Sequence, residues 1–256
     1  MTFSTLALTL LFVLIPLLLA YFLKLNLEKD IVIATIRSII QLLAVGYVLQ
    51  YVFEAENFIY TVLMVALIIG AATHNAQKKG AAIKGITWKL VVTFLTIEIL
   101  TQGILIGLDI IPATPQYVIP ISGMVIGNAM VLSILFLNRF ISEIENQEEQ
   151  IELILSLGGT PKQAIHRQLI NSIKASTIPT IENQKTMGLV QLPGMMSGQI
   201  IAGADPIQAV QFQLLIVFLL LTTAVVTSIM LGFLSYPTLF NQQMQLDKVA
   251  YRKKQN

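Results

Sequence analysis

The chain alternates long apolar runs with short loops, and its positive charges fall in every second loop. A bilayer accounts for such runs, because about 20 apolar residues are needed to cross its hydrocarbon core. We predict an all-α, polytopic membrane protein that forms one transmembrane domain over residues 1–256. Its seven predicted spans cover residues 5–23, 31–53, 58–73, 88–108, 117–137, 186–204 and 207–236.

The composition agrees with a membrane protein. Charged residues make up 12% of the 256 positions, against about 25% in soluble domains. The chain has no cysteine, which excludes disulfides, thiolate catalysis and cysteine-based metal sites. Because the first lysine, Lys24, follows the first apolar run, we expect that run to be retained as a span and not cleaved as a signal peptide.

The basic residues predict the orientation of the spans. Of the 16 lysines and arginines, all but Arg37 lie in or beside the loops at 24–30, 74–87, 138–185 and 237–256. Positively charged loops stay in the cytoplasm. We therefore expect a multi-pass protein of the cytoplasmic (inner) cell membrane, with its N-terminus outside and its C-terminus inside. Segment 186–204 is the weakest span, and a re-entrant course for it remains open.

The loop at 138–185 predicts a cytoplasmic helix-turn-helix. An amphipathic helix would continue the fifth span until Gly158 and Gly159 end it, as glycines after a helix commonly do. Thr160 is a suitable N-cap, and Pro161 suits the first position of a second helix that runs to about Ala175. The loop is either an ordinary solvated connection or a docking element for a cytosolic partner.

The string EQIELILSLGGTPKQAI favours the docking interpretation, since Glu152 is followed six residues later by Gly158. This spacing resembles the coupling segment of ABC transporter permeases, which seats in a groove on the ATPase. The resemblance implies that Glu152, Leu157, Gly158, Gly159, Thr160 and Pro161 couple to that subunit. The chain lacks a G-x-x-x-x-G-K-[ST] phosphate loop, so we expect it to bind no cofactor and ATP with Mg to bind on a separate subunit.

Several polar or soft side chains fall near the middle of the predicted spans, where ionisable groups suggest function. The candidate substrate pathway consists of Glu98, Arg37, Gln41, Asn128, Met195, Met196 and Gln199. Each has a structural alternative: Arg37 snorkels to the headgroups, Glu98 is protonated or pairs with Arg37, and the amides bond neighbouring helices. The methionines are either soft metal ligands or flexible fillers, so no metal site is assigned.

The stretch LPGMMSGQI predicts a helix break or close packing inside the sixth segment. Pro193 removes a backbone donor and bends or ends a helix. Gly194 and Gly198 repeat the G-x-x-x-G spacing of Gly123 and Gly127, which lets helix backbones approach each other. We expect these two faces to pack on one another or across a dimer, and the broken segment to act as a gate or as a packing seam.

Four longer strings resemble the FetB (YbbM) family of ABC transporter permease subunits. They are GMVIGNAM (123–130), LSLGGTPKQA (155–164), MGLVQLPGMMSGQI (187–200) and GADPIQAVQFQ (203–213). The resemblance implies a homodimer of permeases joined to two separate ATP-binding subunits, and a link to iron export. Plant relatives of the family are tied to aluminium tolerance, and one is assigned a nucleotide-sugar cargo.

The leading hypothesis is therefore a permease subunit, without enzymatic activity of its own, in an ATP-driven exporter of a metal ion such as iron. The alternative is an ion-coupled secondary transporter with Glu98 as proton carrier. A lipid-modifying enzyme is disfavoured, because neither H-E-x-x-H nor G-x-S-x-G occurs. The expected partners are the ATPase subunit, a second permease copy and the bilayer, with no nucleic acid.

Overall fold

The computed structural model describes residues 9–55, 57–81 and 83–247. These residues are helical, with two isolated β-bridges and no strand, which confirms the all-α prediction. Contacts divide the chain into two compact units, Met1–Asn57 and Phe58–Asn256. Among the described residues, five helices are long and apolar enough to cross a membrane, and one further apolar helix is shorter.

The first unit is a pair of packed helices, α1 (Leu11–Phe22) and α2 (Glu28–Ala55). Residues 5–8 of the first predicted span lie outside the described residues, and α1 is the shorter apolar helix. Helix α2 has spanning length and extends beyond the predicted 31–53 at both ends. Its first turn carries Glu28 and Asp30, which complement the positive end of the helix dipole.

The second unit holds four helices of spanning length: α3 (Phe58–Gln77), α4 (Ile86–Gly107), α5 (Pro115–Asn146) and α9 (Pro206–Ser235). They match the predicted spans 58–73, 88–108, 117–137 and 207–236. Between α5 and α9 lie α6 (Glu148–Ser156), α7 (Pro161–Thr186) and the short α8 (Gly194–Ile201). A 3-10 turn, Tyr236–Leu239, follows α9.

Contacts between helices fix their directions. Helices α5 and α9 run parallel, because the Tyr117 ring lies 6.3 Å from that of Phe212 and the Asn128 side chain reaches the Leu220 carbonyl. Helix α4 runs against both. Three segments meet at one end of the unit: the first residues of α4, the end of α5 and the chain after α9. At this end Lys84 pairs with Asp247. We name this the basic end.

The core lies between α4, α5, α7 and α9 near the basic end. Phe136 and Phe140 stack on α5 with their centroids 5.2 Å apart, and both are fully buried. Gly232 lets α9 approach this core, since an added Cβ would lie 2.6 Å from Leu169 Cδ1 and 3.2 Å from Phe136 Cζ. The buried apolar residues at this interface hold α7 against the spanning helices.

Helix α7 is longer and lies elsewhere than the sequence predicts. Leu169 packs near Gly232, and the Gln184 amide donates to the Val217 carbonyl at 2.8 Å. Helix α7 therefore runs antiparallel along α9 for about 22 Å. Residues 138–146 continue α5, as predicted, but the second helix does not end near Ala175: it runs to Thr186 and packs on α5 and α9.

The predicted sixth span, 186–204, is not one helix but is broken before Gly194, as the stretch LPGMMSGQI predicts. Helix α7 ends at Thr186, the chain turns at Gly188 with a φ of +86°, and Pro193 caps α8. Helix α8 has eight residues, about 12 Å of helix, and cannot cross a hydrocarbon core of about 30 Å. The apolar composition of the segment suggested a span, but its proline and glycines break the helix.

Gly232→Ala is predicted to lower the free energy of unfolding by about 1 kcal/mol, because its methyl group overpacks Leu169 and Phe136. The matched variant is Gly103→Ala, where an added Cβ meets nothing within 4 Å. That variant is predicted to be neutral or stabilising, since alanine favours a helix. Thermal unfolding in detergent compares the two, and equal effects would contradict the close approach of α9.

Candidate functional site

Three polar side chains meet between α4 and α5, deep in the second unit. The Ser122 hydroxyl lies 2.5 Å from Glu98 Oε1, and the Gln102 amide donates to Ser122 Oγ at 2.9 Å. Glu98 and Gln102 stand one turn apart on α4, so both face the same point on α5. Glu98 is 7% exposed and Ser122 is fully buried. The structure thus encloses a carboxyl group at a helix interface.

Hydrogen-bond acceptors outnumber donors around this group. Ser122 Oγ lies 2.7 Å from the Val118 carbonyl as well as 2.5 Å from Glu98, but a hydroxyl has only one hydrogen to donate. Glu98 Oε2 and Gln102 Oε1 are buried without a partner. A buried acceptor without a donor is costly. The cluster is therefore suited to receive a proton, a cation or a hydrogen-bond donor.

A groove of about 560 Å³ leads to the cluster and is lined by α3, α4 and the start of α5. Thr61, Glu98 and Gln102 are its polar lining, and the Thr61 hydroxyl is a further buried atom without a partner. The remaining walls are apolar, among them Val65 and Ile99. The groove offers three oxygen atoms with unused hydrogen-bonding capacity on an otherwise apolar surface.

Glu98 has no cationic partner within the described part of the second unit. The ion pairs there include Lys84–Asp247, Arg139–Glu143 and Lys185–Glu182, and none of these involves Glu98. In the same described residues, no three histidine, aspartate or glutamate side chains cluster as metal ligands. A cation in the groove would therefore meet one carboxylate and neutral oxygens.

Within the second unit, the other predicted pathway residues lie apart from this cluster. Asn128 donates to the Leu220 carbonyl at 3.4 Å, a bond between α5 and α9. Met195 packs against the core from α8, where Met196 and Gln199 are partly exposed. The remaining two, Arg37 and Gln41, are exposed on α2 of the first unit. Of the predicted set, the described contacts place only Glu98 in the groove.

The glycine faces do not meet within one chain. An added Cβ at Gly123, Gly127, Gly194 or Gly198 would find no neighbouring atom within 4 Å. The first pair lies on α5, and the second lies on α8 just after Pro193. Packing across a dimer, the other predicted outcome, stays a prediction.

The turn between α6 and α7 forms a defined element at the basic end. Thr160 caps α7 and forms a reciprocal capping box with Gln163, which confirms the predicted start at Pro161. Gly158 has a φ of +88°, and a Cβ at Gly159 would lie 2.8 Å from the Ile154 carbonyl oxygen. Both glycines are therefore required by the turn. Leu157, at its tip, is 79% exposed.

The sequence analysis missed a polar clamp behind this turn. Glu143 on α5 is 6% exposed, forms a salt bridge with Arg139 and accepts from Asn171 of α7 at 3.2 Å. Gln147 donates to the same carboxylate at 3.3 Å. The four-residue spacing of Arg139 and Glu143 signals an ion pair, but nothing in the sequence indicates Asn171. The clamp joins the start of α7 to the end of α5.

Comparison with known proteins agrees with this helical membrane architecture. YjkA, a membrane protein of Bacillus subtilis, is 54% identical over 96% of this chain and 98% of its own length. The probable iron export permease protein FetB of Escherichia coli is 42% identical over 99% and 98%. ALUMINUM SENSITIVE 3 of Arabidopsis thaliana is 32% identical over 91% and 86%. No solved structure matches the chain.

The resemblance to FetB noted in the sequence is thereby confirmed over nearly the whole chain. The model of the uncharacterised protein family UPF0014 matches residues 3–240. These residues include all the described helices and both the groove and the turn. The chain is a membrane protein that belongs to the UPF0014 family.

Proposed function

We propose that this chain is the permease subunit of an ABC transporter of the cytoplasmic membrane, which exports its cargo with ATP hydrolysed on a separate subunit. The observation that carries the proposal is the rigid, exposed turn between α6 and α7. It projects its tip from the basic end of a bundle of spanning helices. By the distribution of positive charge, that end faces the cytoplasm, where ATP is available.

The surface of this turn fits a protein partner. Leu153 and Leu157 are 57% and 79% exposed on an otherwise acidic helix, α6. Large apolar side chains that project from a charged element are typical anchors of an interface. The glycines and the capping box hold the tip in one conformation, so binding requires little ordering. We name Glu152, Leu157, Gly158, Gly159, Thr160 and Pro161 the coupling element.

The clamp at Glu143 supplies a path for motion from the coupling element to the bundle. It bonds α7 through Asn171 and lies on the same helix, α5, that carries Ser122. A displacement of the turn by the ATPase would therefore move α5 and α7 together. Rigid helices that are joined by packed side chains and hydrogen bonds can carry such a movement from one site to another.

A homodimer is supported by the chain between α7 and α8. Residues 187–193 are not helical, and Leu189 and Val190 are 91% and 83% exposed. This connection follows Gln184, which bonds to Val217 well inside α9. Irregular backbone at membrane depth requires cover by protein or an aqueous cavity. A second copy provides that cover and fits the proposed permease pair.

A metal ion such as iron is the proposed cargo. The name of the Escherichia coli relative, probable iron export permease, supports this assignment. The groove beside Glu98 adds a carboxylate and neutral oxygens, which are ligands for hard cations. We propose that Glu98 contributes to the substrate pathway through its unpartnered oxygen.

The unpartnered acceptors also favour one alternative, an ion-coupled transporter in which Glu98 carries a proton. A hydrogen on Glu98 could be donated to Ser122 Oγ, which would leave the serine hydrogen for the Val118 carbonyl. Protonation would thus resolve the excess of acceptors. Binding of an ATPase to the coupling element discriminates the two functions, since a secondary transporter needs no such subunit.

Leu157→Asp is predicted to weaken binding of the ATPase subunit by at least tenfold, about 1.4 kcal/mol, because an interface anchor is replaced by a charge. The matched control is Leu108→Asp, at the opposite end of α4 and 69% exposed. Both variants are co-expressed and co-purified with candidate ATP-binding-cassette ATPases from the same organism. Equal recovery of the ATPase with Leu157→Asp and the native chain would contradict docking at this turn.

Glu98→Gln is predicted to reduce cargo transport into or out of liposomes by about tenfold or more while the chain remains folded. The amide preserves shape but removes the charge and the proton site. The control is Asp109→Asn, which neutralises a carboxylate at the far end of α4 and should transport normally. If Glu98→Gln supports transport and ATPase stimulation at native levels, Glu98 is not part of the substrate pathway.

A further inference from the structure

The C-terminal half of α7 lies at membrane depth. Gln184 bonds to Val217, which stands about 16 Å along α9 from its first residue, Pro206. Helix α9 is of spanning length, and the hydrocarbon core is about 30 Å thick. The last turns of α7 are therefore level with the interior part of α9 and not with the aqueous surface at the basic end.

The exposed side of these turns carries charged side chains beside Ile178 and Ile181, which are 49% and 37% exposed. Glu182 and Lys185 form an ion pair at 2.7 Å, with 58% and 63% of their side chains exposed. Asn183 between them is exposed as well. The side of the helix that faces α9 is closed: Gln184 bonds to Val217, and Ser176, nine residues before Lys185 and so on the opposite side from it, is buried. The exposed charges are therefore not part of the packing between α7 and α9.

Other exposed surfaces at comparable depth are apolar. On α9, on either side of Val217, Leu214, Phe218 and Val225 are 47%, 63% and 37% exposed, as expected for side chains that face lipid. Ionisable side chains at membrane depth instead face a protein interior or a water-filled cavity. The exposed charges of Glu182 and Lys185 thus distinguish this part of α7 from a surface that faces lipid.

We propose that Glu182, Asn183 and Lys185 line a water-filled cavity inside the membrane, enclosed between this chain and a second copy of it. The inference deepens the proposed function, on which it rests: the cavity is the route along which cargo crosses. The exposed, non-helical residues 187–193 follow directly and need the same cover by protein. An isologous contact would set the same face of each copy opposite the other.

The chemistry of the face specifies a class of cargo. Each chain contributes one carboxylate, one ammonium group and one amide, so the cavity carries both signs of charge. Such a lining keeps a polar cargo hydrated and gives no advantage to a lipid-soluble one. The groove at Glu98 is lined by different helices, α3, α4 and α5, so the two polar sites are chemically and spatially separate.

Accessibility of single cysteines tests the cavity, and the native chain has no cysteine to interfere. Asn183→Cys and the matched Phe218→Cys, beside Val217 on α9, are treated in sealed vesicles with a membrane-impermeant maleimide. We expect Asn183→Cys to react at least ten times faster than Phe218→Cys, because only a thiol in water forms the reactive thiolate. The proposed cavity would be contradicted if both thiols react equally slowly in the folded protein and both react after denaturation.

The second copy is tested by light scattering of the detergent-solubilised protein. We expect the native chain to be a dimer and Val190→Glu to be a monomer, whereas Leu108→Glu should stay dimeric. A monomeric native chain, or a Val190→Glu dimer, would overturn the role of the second copy. Both measurements omit the ATPase, so their failure is distinguishable from failure of the coupling element to bind it.

Discussion

The packing of α7 on α9 is the contact on which the rest of the structure depends. Helix α7 is rich in polar residues, yet its buried hydroxyl groups are satisfied at short range. Ser172 and Thr177 donate to the carbonyls of Gln168 and Ile173, and Ser176 lies 2.9 Å from Ser228 of α9. Small hydroxyl side chains let two helices approach closely while leaving no buried donor unused. A polar helix can thereby pack among spanning helices.

Because α7 is held against α9, it links the two sites of the proposed mechanism, the coupling element and the cavity. Helix α7 begins at the coupling element, held by the Thr160 cap and the Glu143 clamp, and ends beside the exposed pair Glu182–Lys185. Its 26 residues extend about 39 Å. One continuous helix therefore connects the proposed ATPase site with the proposed cavity. Movement at the turn would reach the cavity through Pro179, which lies inside α7 and removes a backbone hydrogen bond there.

Hydropathy alone could predict the helices whose partner is lipid. Helices α3, α4, α5 and α9 expose apolar side chains, so their sequences read as continuous apolar runs. Helix α7 could not be found this way, because its neighbours are protein and its exposed face carries charge. The segment around Pro193 was predicted in part. Its apolar composition suggested a span, whereas its proline and glycines predicted the helix break that the structure has.

The site was predictable only in part for a similar reason. Glu98 stands out because it is a carboxylate within an apolar run. Ser122, its partner, is 24 residues away on another helix and is an unremarkable residue in its own sequence. Likewise Asn171 meets Glu143 only because α7 folds back along α5. Partners of this kind follow from helix pairing, which a single sequence does not specify.

Disulfide formation between Ser176→Cys and Ser228→Cys tests the antiparallel packing of α7 on α9 most directly. The hydroxyl oxygens lie 2.9 Å apart, a separation that suits bridging once thiols replace them. We predict an intramolecular disulfide upon mild oxidation in membranes, and none for the control pair Ser122→Cys with Ser228→Cys. Free thiols in both pairs after oxidation would contradict it and would place α7 away from the spanning bundle.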